Sequence, residues 1–165
     1  MLLGIHHTAI ATPDIDRLSR FYCDVLGMVK LAEGEWTDSP DNDTITGLKG
    51  TSARFMLLQA GNHSIEMFQY RAPMGKASDQ NRPPCDNGIT HFALAVTDID
   101  AEYARLKAAG MRFHAPPPAG DGSAVRAIYG RDPDGNIIEL LEIVGDTPFG
   151  YTPSLARWRK SAAAE

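Results

Sequence analysis

The sequence predicts an α+β chain made of two βαβββ modules in tandem. Three observations carry this. Residues Gly4–Asp16 and Gly88–Asp100 align without a gap and are identical at eight of thirteen positions. Both segments run into apolar residues spaced three to four apart, and both runs stop at a glycine followed by methionine, Gly27-Met28 and Gly110-Met111. Short runs of alternating apolar and polar residues then follow in each half, the pattern of half-buried strands. Self-similarity of this kind points to duplication of one supersecondary unit.

The first module covers residues 1–70. Ile5 to Ala11 alternates as a strand. Asp14 stands where a helix N-cap belongs, ahead of a helix whose buried stripe is Ile15, Leu18, Tyr22 and Val25. Gly27 supplies the left-handed residue that ends it. Strands are expected over Met28–Glu33, Thr51–Gln59 and His63–Tyr70, the last two joined at Gly61-Asn62. Between them, Gly34 to Gly50 is a long polar insertion without a counterpart in the second half, read as a loop that either closes over a site or simply lies on the surface.

Residues 71–87 are polar and proline-containing, a linker by composition. The second module, residues 88–144, repeats the plan. Its first strand is Ile89–Val96, Asp98 caps a helix using Ile99, Tyr103 and Leu106, and Gly110 ends that helix. Strands Met111–Ala115, Ser123–Gly130 and Ile137–Val144 follow, the last two joined by the strong turn formers Arg131–Asn136. Residues 145–165 form a tail outside the repeat, with Ser154–Ala163 as a short helix candidate.

Composition limits the function. The 165 residues carry a net charge of −5, with 43% apolar and 22% charged residues, ordinary values for a globular chain. That balance gives little reason to bind nucleic acid or an anionic membrane. No apolar run approaches a membrane span, and the N-terminus lacks a signal-peptide pattern, so the expectation is a cytoplasmic protein. Cys23 and Cys85 are too few and too isolated for a disulfide framework or a thiolate zinc site.

Strand parity locates the chemistry. His7, Ala9 and Ala11 share one face of the first strand, and His91, Ala93 and Ala95 share the equivalent face of its repeat. Small alanines beside a histidine leave room above the strand. Each module's last strand adds a carboxylate, Glu66 between Ile65 and Met67 and Glu139 between Ile138 and Leu140. Singly, such residues are most often satisfied core histidines or solvated glutamates. Recurrence of both types at the same place in both halves makes His7, Glu66, His91 and Glu139 a candidate ligand set for one divalent cation.

His6 has no histidine partner in the repeat, since Thr90 stands there, and is read as a non-ligand. Glu142 falls on the Leu140 face and reads as solvated or helix-adjacent. His63 and His114 read as surface residues. Arg54 and Arg126, each within a strand, are either anion-binding groups for a substrate or solvated.

These residues together resemble the vicinal oxygen chelate superfamily, the glyoxalase/bleomycin-resistance/dioxygenase fold. The resemblance rests on His7–Ile10 with Asp14–Asp16, on Phe21-Tyr22 and Leu26–Met28, on His91 with Asp98–Asp100, and most specifically on Asp132–Leu140. It implies two modules forming a half-open barrel around one metal site, with His7, Glu66, His91 and Glu139 as ligands. The ion would be nickel, cobalt, manganese, iron or zinc. The implied partner is a small-molecule substrate, and the implied assembly a homodimer with all four ligands from one chain; ligands shared across two chains are the other arrangement that occurs.

Within the superfamily the resemblance is nearest the metal-dependent lyases and isomerases, glyoxalase-like or epimerase-like, which chelate vicinal oxygens to the metal and transfer a proton next to a carbonyl. Glu139, or Glu66, is the implied base. Bleomycin-binding members generally lack the ligand set, which disfavours the alternative of a binding or resistance protein. Extradiol-type dioxygenases hold iron through two histidines and one glutamate. Tyr129–Gly135 with Glu139 resembles the end of their signature, but the further histidine expected near residues 120–122 is missing. The arginine and asparagine with which glyoxalase I grips glutathione are replaced by Ala11 and Tyr70. Methylmalonyl-CoA epimerases usually carry glutamine where Glu66 stands.

Overall fold

Each half of the chain folds as a four-stranded sheet with a helix on one face. The computed structural model describes residues 4–120, 122–147 and 150. The chain divides into two units: Gly4–Asn81 together with Pro133–Gly135, and Arg82–Asp132 together with the residues from Asn136 onward. The short helix expected over Ser154–Ala163 lies outside the described residues. Among those described, no helix is long and apolar enough to cross a membrane.

In the first unit, β1 (His7–Ala11), β2 (Val29–Thr37), β3 (Ser52–Ala60) and β4 (His63–Ala72) form a sheet of order β1-β4-β3-β2. The pair β1–β4 is parallel and the others are antiparallel. Helix α1 (Ile15–Arg20) starts at Asp14, whose carboxylate accepts the Arg17 backbone N–H at 3.0 Å, and runs on into a π-helical turn over Phe21–Val25. Ile15, Leu18 and Tyr22 are wholly buried and Val25 is half-buried. Helix α1 lies on β3 and β4, over the sheet face that carries Met56, Leu58, Ile65 and Met67. Burying each such side chain contributes about 1.5–3 kcal/mol. Gly27 adopts φ +75° and ends the helical run as expected.

The second unit repeats this. Strands β5 (His91–Val96), β6 (Arg112–Phe113), β7 (Val125–Arg131) and β8 (Ile137–Ile143) have the order β5-β8-β7-β6, with β5 parallel to β8. Helix α3 (Ile99–Ala108) is capped by Asp98, which accepts the Ala101 N–H at 3.0 Å. Ile99 and Leu106 are buried, and Tyr103 packs edge-on against Phe113. Strand β6 is shorter than the expected Met111–Ala115, since Pro116–Pro118 follow and proline cannot donate to a ladder.

The insertion differs from expectation. Gly34–Thr37 extend β2, paired residue for residue with Ser52–Phe55, and Pro40–Thr46 form helix α2. Ser39 caps α2 by accepting the Asn42 N–H, Pro40 fits its first turn, and Gly47 closes it at φ +68°. Asp43 then accepts from the backbone N–H groups of Gly50 and Thr51 at 2.6 and 2.8 Å, which fixes the return into β3. The polar composition concealed these signals: α2 buries no residue, so it has no apolar stripe.

Matching arginine clamps tie each helix to its sheet. Arg54 on β3 grips Asp16 of α1 with both guanidinium nitrogens, at 2.7 and 2.9 Å. Arg126 on β7 does the same to Asp100 of α3, at 2.8 and 3.0 Å. Both arginines therefore serve the helix side of their sheets. The hydrogen bonds from Arg54 and Arg126 hold the Asp16 and Asp100 carboxyls below the ordinary aspartate value, against the opposing effect of desolvation. A lowered folded-state value means that the contribution is complete above about pH 4 and is lost as pH falls through that value. Replacing both arginines by methionine is therefore expected to flatten the acid limb of stability below about pH 4, read as the urea midpoint against pH. An unchanged limb would show that the clamps do not couple to folding.

Candidate metal centre

The parity expected from sequence is present in both sheets. Along β1 the exposure alternates, with Ile10 buried and His7, Ala9 and Ala11 exposed. Ala9 stands opposite Glu66 in the parallel pairing of β1 with β4, and Ala93 stands opposite Glu139 in that of β5 with β8. Each carboxylate thus shares the helix-free face with the histidine of its own unit. His7 Nε2 lies 3.1 Å from Glu66 Oε2, and His91 Nε2 lies 3.0 Å from Glu139 Oε2. The structure brings together each pair. Among the described residues it gathers no cluster of three or more His, Cys, Asp or Glu side chains.

The residue before each histidine holds the ring's other nitrogen. His6 Nδ1 is 2.8 Å from His7 Nδ1, and Thr90 Oγ1 is 2.7 Å from His91 Nδ1. Both partners can either donate or accept, so each imidazole can expose Nε2 with or without its proton. Tyr129, opposite Glu139 on β7, adds a second constraint, its ring centroid 4.6 Å from that of His91. Its counterpart opposite Glu66 is Leu57. Sequence reading passed over these supporting residues, although the alignment of His6 with Thr90 was the available signal.

The remaining candidates separate from the pairs. Glu142 is 8% exposed rather than solvated, and lies 3.5 Å from Arg126 on the helix side. Its counterpart Gln69 bridges to the entry of α1, accepting from Ile15 N and donating to Pro13 O. His63 is half-buried rather than at the surface and bonds Thr8 Oγ1 at 3.0 Å, whereas His114 is exposed. Cys85 is exposed, and burial pushes the Cys23 thiol up.

A family model described as Glyoxalase/Bleomycin resistance protein/Dioxygenase superfamily matches residues 4–140. The chain belongs to this superfamily. Among superfamily relatives, a 2-epi-5-epi-valiolone epimerase from Actinomyces sp. is 31% identical over 162 residues, covering 89% of this chain and 83% of that one. A probable lactoylglutathione lyase from Synechocystis sp. is 27% identical over 137 residues, covering 82% and 92%. The solved structure of a glyoxalase family protein from Bacillus cereus superposes with a TM-score of 0.77 at 22% identity, covering 88% and 97%, a likeness of fold. The named relatives support a glyoxalase-like or epimerase-like activity within the superfamily.

Superfamily members typically use a divalent metal, and the donors here suit one. Each pair offers an imidazole nitrogen and a carboxylate oxygen, donor types that suit a divalent ion, and the outer hydrogen bonds to Nδ1 are of the kind that orient metal-bound histidines.

Proposed function

We propose that the chain is a metal-dependent lyase or isomerase that moves a proton next to a carbonyl, with His7, Glu66, His91 and Glu139 as the ligands of one divalent cation. The observation that carries this reading is the pair of histidine–carboxylate contacts, 3.1 and 3.0 Å, at equivalent positions on the helix-free faces of two repeated sheets. A cation held there would act as a Lewis acid toward two neighbouring substrate oxygens. His7 and His91 orient the site through Nε2, while His6 and Thr90 keep their rings from turning.

Glu139, or Glu66, accepts the proton of the carbon beside the carbonyl. As that C–H bond breaks, its electron pair is delocalised toward the carbonyl oxygen. The same carboxylic acid, or its counterpart in the other unit, then returns a proton to that carbon or its neighbour. Ligation lowers a carboxylate's basicity, so the base is whichever glutamate is the more loosely held.

The test is deuterium uptake from solvent into 2-oxo, 2-hydroxy and acyl-CoA compounds, using protein supplied in turn with nickel, cobalt, manganese, iron and zinc. Uptake next to the carbonyl is expected, with Glu139→Gln or Glu66→Gln slowing it by about 10²–10⁴-fold. Tight binding of an unchanged compound, with no uptake in the panel, would replace this reading with that of a binding protein.

A further inference from the structure

The helix-free face of the first sheet carries a row of aromatic rings that the second sheet lacks. Phe68 and Tyr70 follow Glu66 at alternate positions of β4, so they share its face. Phe55 stands opposite Phe68, and Trp36 joins the same face through Ala53, which stands opposite Tyr70. The Trp36 ring centroid lies 6.5, 6.0 and 6.2 Å from those of Phe55, Phe68 and Tyr70. All four side chains are half-buried. In the second unit Leu141, Ile143 and Ala127 stand where Phe68, Tyr70 and Phe55 stand in the first, and the two-residue β6 supplies no counterpart of Trp36. The repeat is therefore broken on its functional side, and the residues that break it include the β2 extension that brings in Trp36.

These rings are held in place. Trp36 Nε1 donates to Thr51 Oγ1 at 3.0 Å, and Thr51 is wholly buried. The Phe55 ring lies over Gly34, where a Cβ atom would come within 2.6 Å of it. The face also has no spare cation. Strands β1–β4 carry Lys30, Arg54 and Arg71, and each is already paired, with Glu33, Asp16 and Glu35 respectively. The other residues beside Glu66 on this face, Ala9, Ala11, Leu57, Ser64 and Gln59, are uncharged.

We propose that this aromatic row is the specificity surface of the site and that it takes the uncharged ring of a polyhydroxylated cyclic ketone. The proposal rests on the proton-transfer reading above. A ring ketone with a neighbouring hydroxyl offers the two oxygens that reading requires. Two strand residues span about 6–7 Å, roughly the width of a six-membered ring, so a substrate whose reactive edge meets Glu66 lays its body on Phe68. Apolar C–H faces of such a ring suit aromatic walls, and its hydroxyls remain at the wet edge. Ligands with several carboxylates or phosphates, such as glutathione or coenzyme A conjugates, find no free lysine or arginine on this sheet. The name of the 31% identical relative, a 2-epi-5-epi-valiolone epimerase, belongs to the favoured chemistry.

The experiment uses the 165-residue chain carrying Trp158→Phe, which leaves Trp36 as its sole tryptophan. Trp36 emission is titrated with 2-epi-5-epi-valiolone, S-lactoylglutathione and methylmalonyl-CoA, and deuterium uptake is followed in parallel. Saturable change is expected with the cyclic ketone and not with the two thioesters. Phe68→Leu and Tyr70→Leu, checked for folding by circular dichroism, are expected to weaken binding by about tenfold and to raise KM more than they lower kcat. Conservative Tyr70→Phe retains the ring and is expected to bind within about threefold of the parent. Thioester binding equal to or tighter than that of the ketone overturns the proposal, as does indifference to both leucine variants. A change of oligomeric size in Trp36→Leu also overturns it, by showing that a second copy covers the row. Uptake into a thioester that ignores Phe68→Leu removes this proposal and leaves the reaction standing. Ketone binding without uptake removes the reaction and leaves the surface.

Discussion

Replacing any one of His7, Glu66, His91 or Glu139 by alanine is expected to weaken binding of a divalent cation by at least about 100-fold, more than outer partners of metal ligands typically contribute. The fold should survive each change, because all four side chains stand on helix-free faces and none belongs to the buried apolar core. Metal content after dialysis against a weak chelator, with thermal unfolding of the same samples, measures both halves of this expectation. Full retention of metal in all four variants would end the four-ligand reading. His6→Ala should cost less than His7→Ala, since His6 touches the neighbouring imidazole and not the carboxylate. Glu142→Gln should leave the metal untouched, because Glu142 faces Arg126. Mixing His7→Ala/Glu66→Ala chains with His91→Ala/Glu139→Ala chains then decides how the ligand set is completed. A mixture that stays metal-free means ligands from one chain, and recovery toward one site per mixed dimer means ligands from two.

Gly135→Ala is expected to be the most damaging single-methyl addition in the chain. Gly135 sits at φ +87°, where a side chain is strained. A Cβ atom there would also stand 2.4 Å from Gln80 Cα and 2.5 Å from its carbonyl oxygen, which are backbone atoms that cannot swing aside. Displacing the turn disturbs Asp134, 5% exposed, which accepts from Thr12 Oγ1 at 2.5 Å and from the Arg17 guanidinium. Strain of about 1–2 kcal/mol and overpacking of about 1–3 kcal/mol together predict a loss of about 2–5 kcal/mol. Gly61→Ala is the control: it has φ +57° with nothing within 4 Å, so it should lose only the strain. Urea unfolding of both variants reads the difference, and equal losses would show that the approach of Gln80 does not matter.

Much of this was readable in the chain itself. The repeat of Gly4–Asp16 in Gly88–Asp100 gave the module order, and period-two alternation, repeated in both halves, singled out His7, Glu66, His91 and Glu139 as one candidate set. Those features are local and doubled, so each half corroborates the other. What escaped was either single or carried by long-range pairing. Helix α2 occurs once and has no buried stripe, leaving only its caps to betray it. Arg54 and Arg126 were ambiguous because parity gives a face but not a partner, and Asp16 and Asp100 lie 38 and 26 residues away. The aromatic row needed the register of three strands, although Glu66, Phe68 and Tyr70 already stood at alternate positions.

One unit is not continuous in sequence: Pro133–Gly135, at the tip between β7 and β8, belongs with Gly4–Asn81. During synthesis the first unit therefore stays unfinished until the ribosome has passed residue 135, long after its own strands have emerged. Thr12 and Arg17 must wait for Asp134 across 122 and 117 positions of chain, a separation that slows closure and keeps the early half open to solvent. Two copies that began as equals have thereby become dependent in one direction. The later copy now carries the last piece of the earlier one, so removing the later copy would leave the earlier one incomplete.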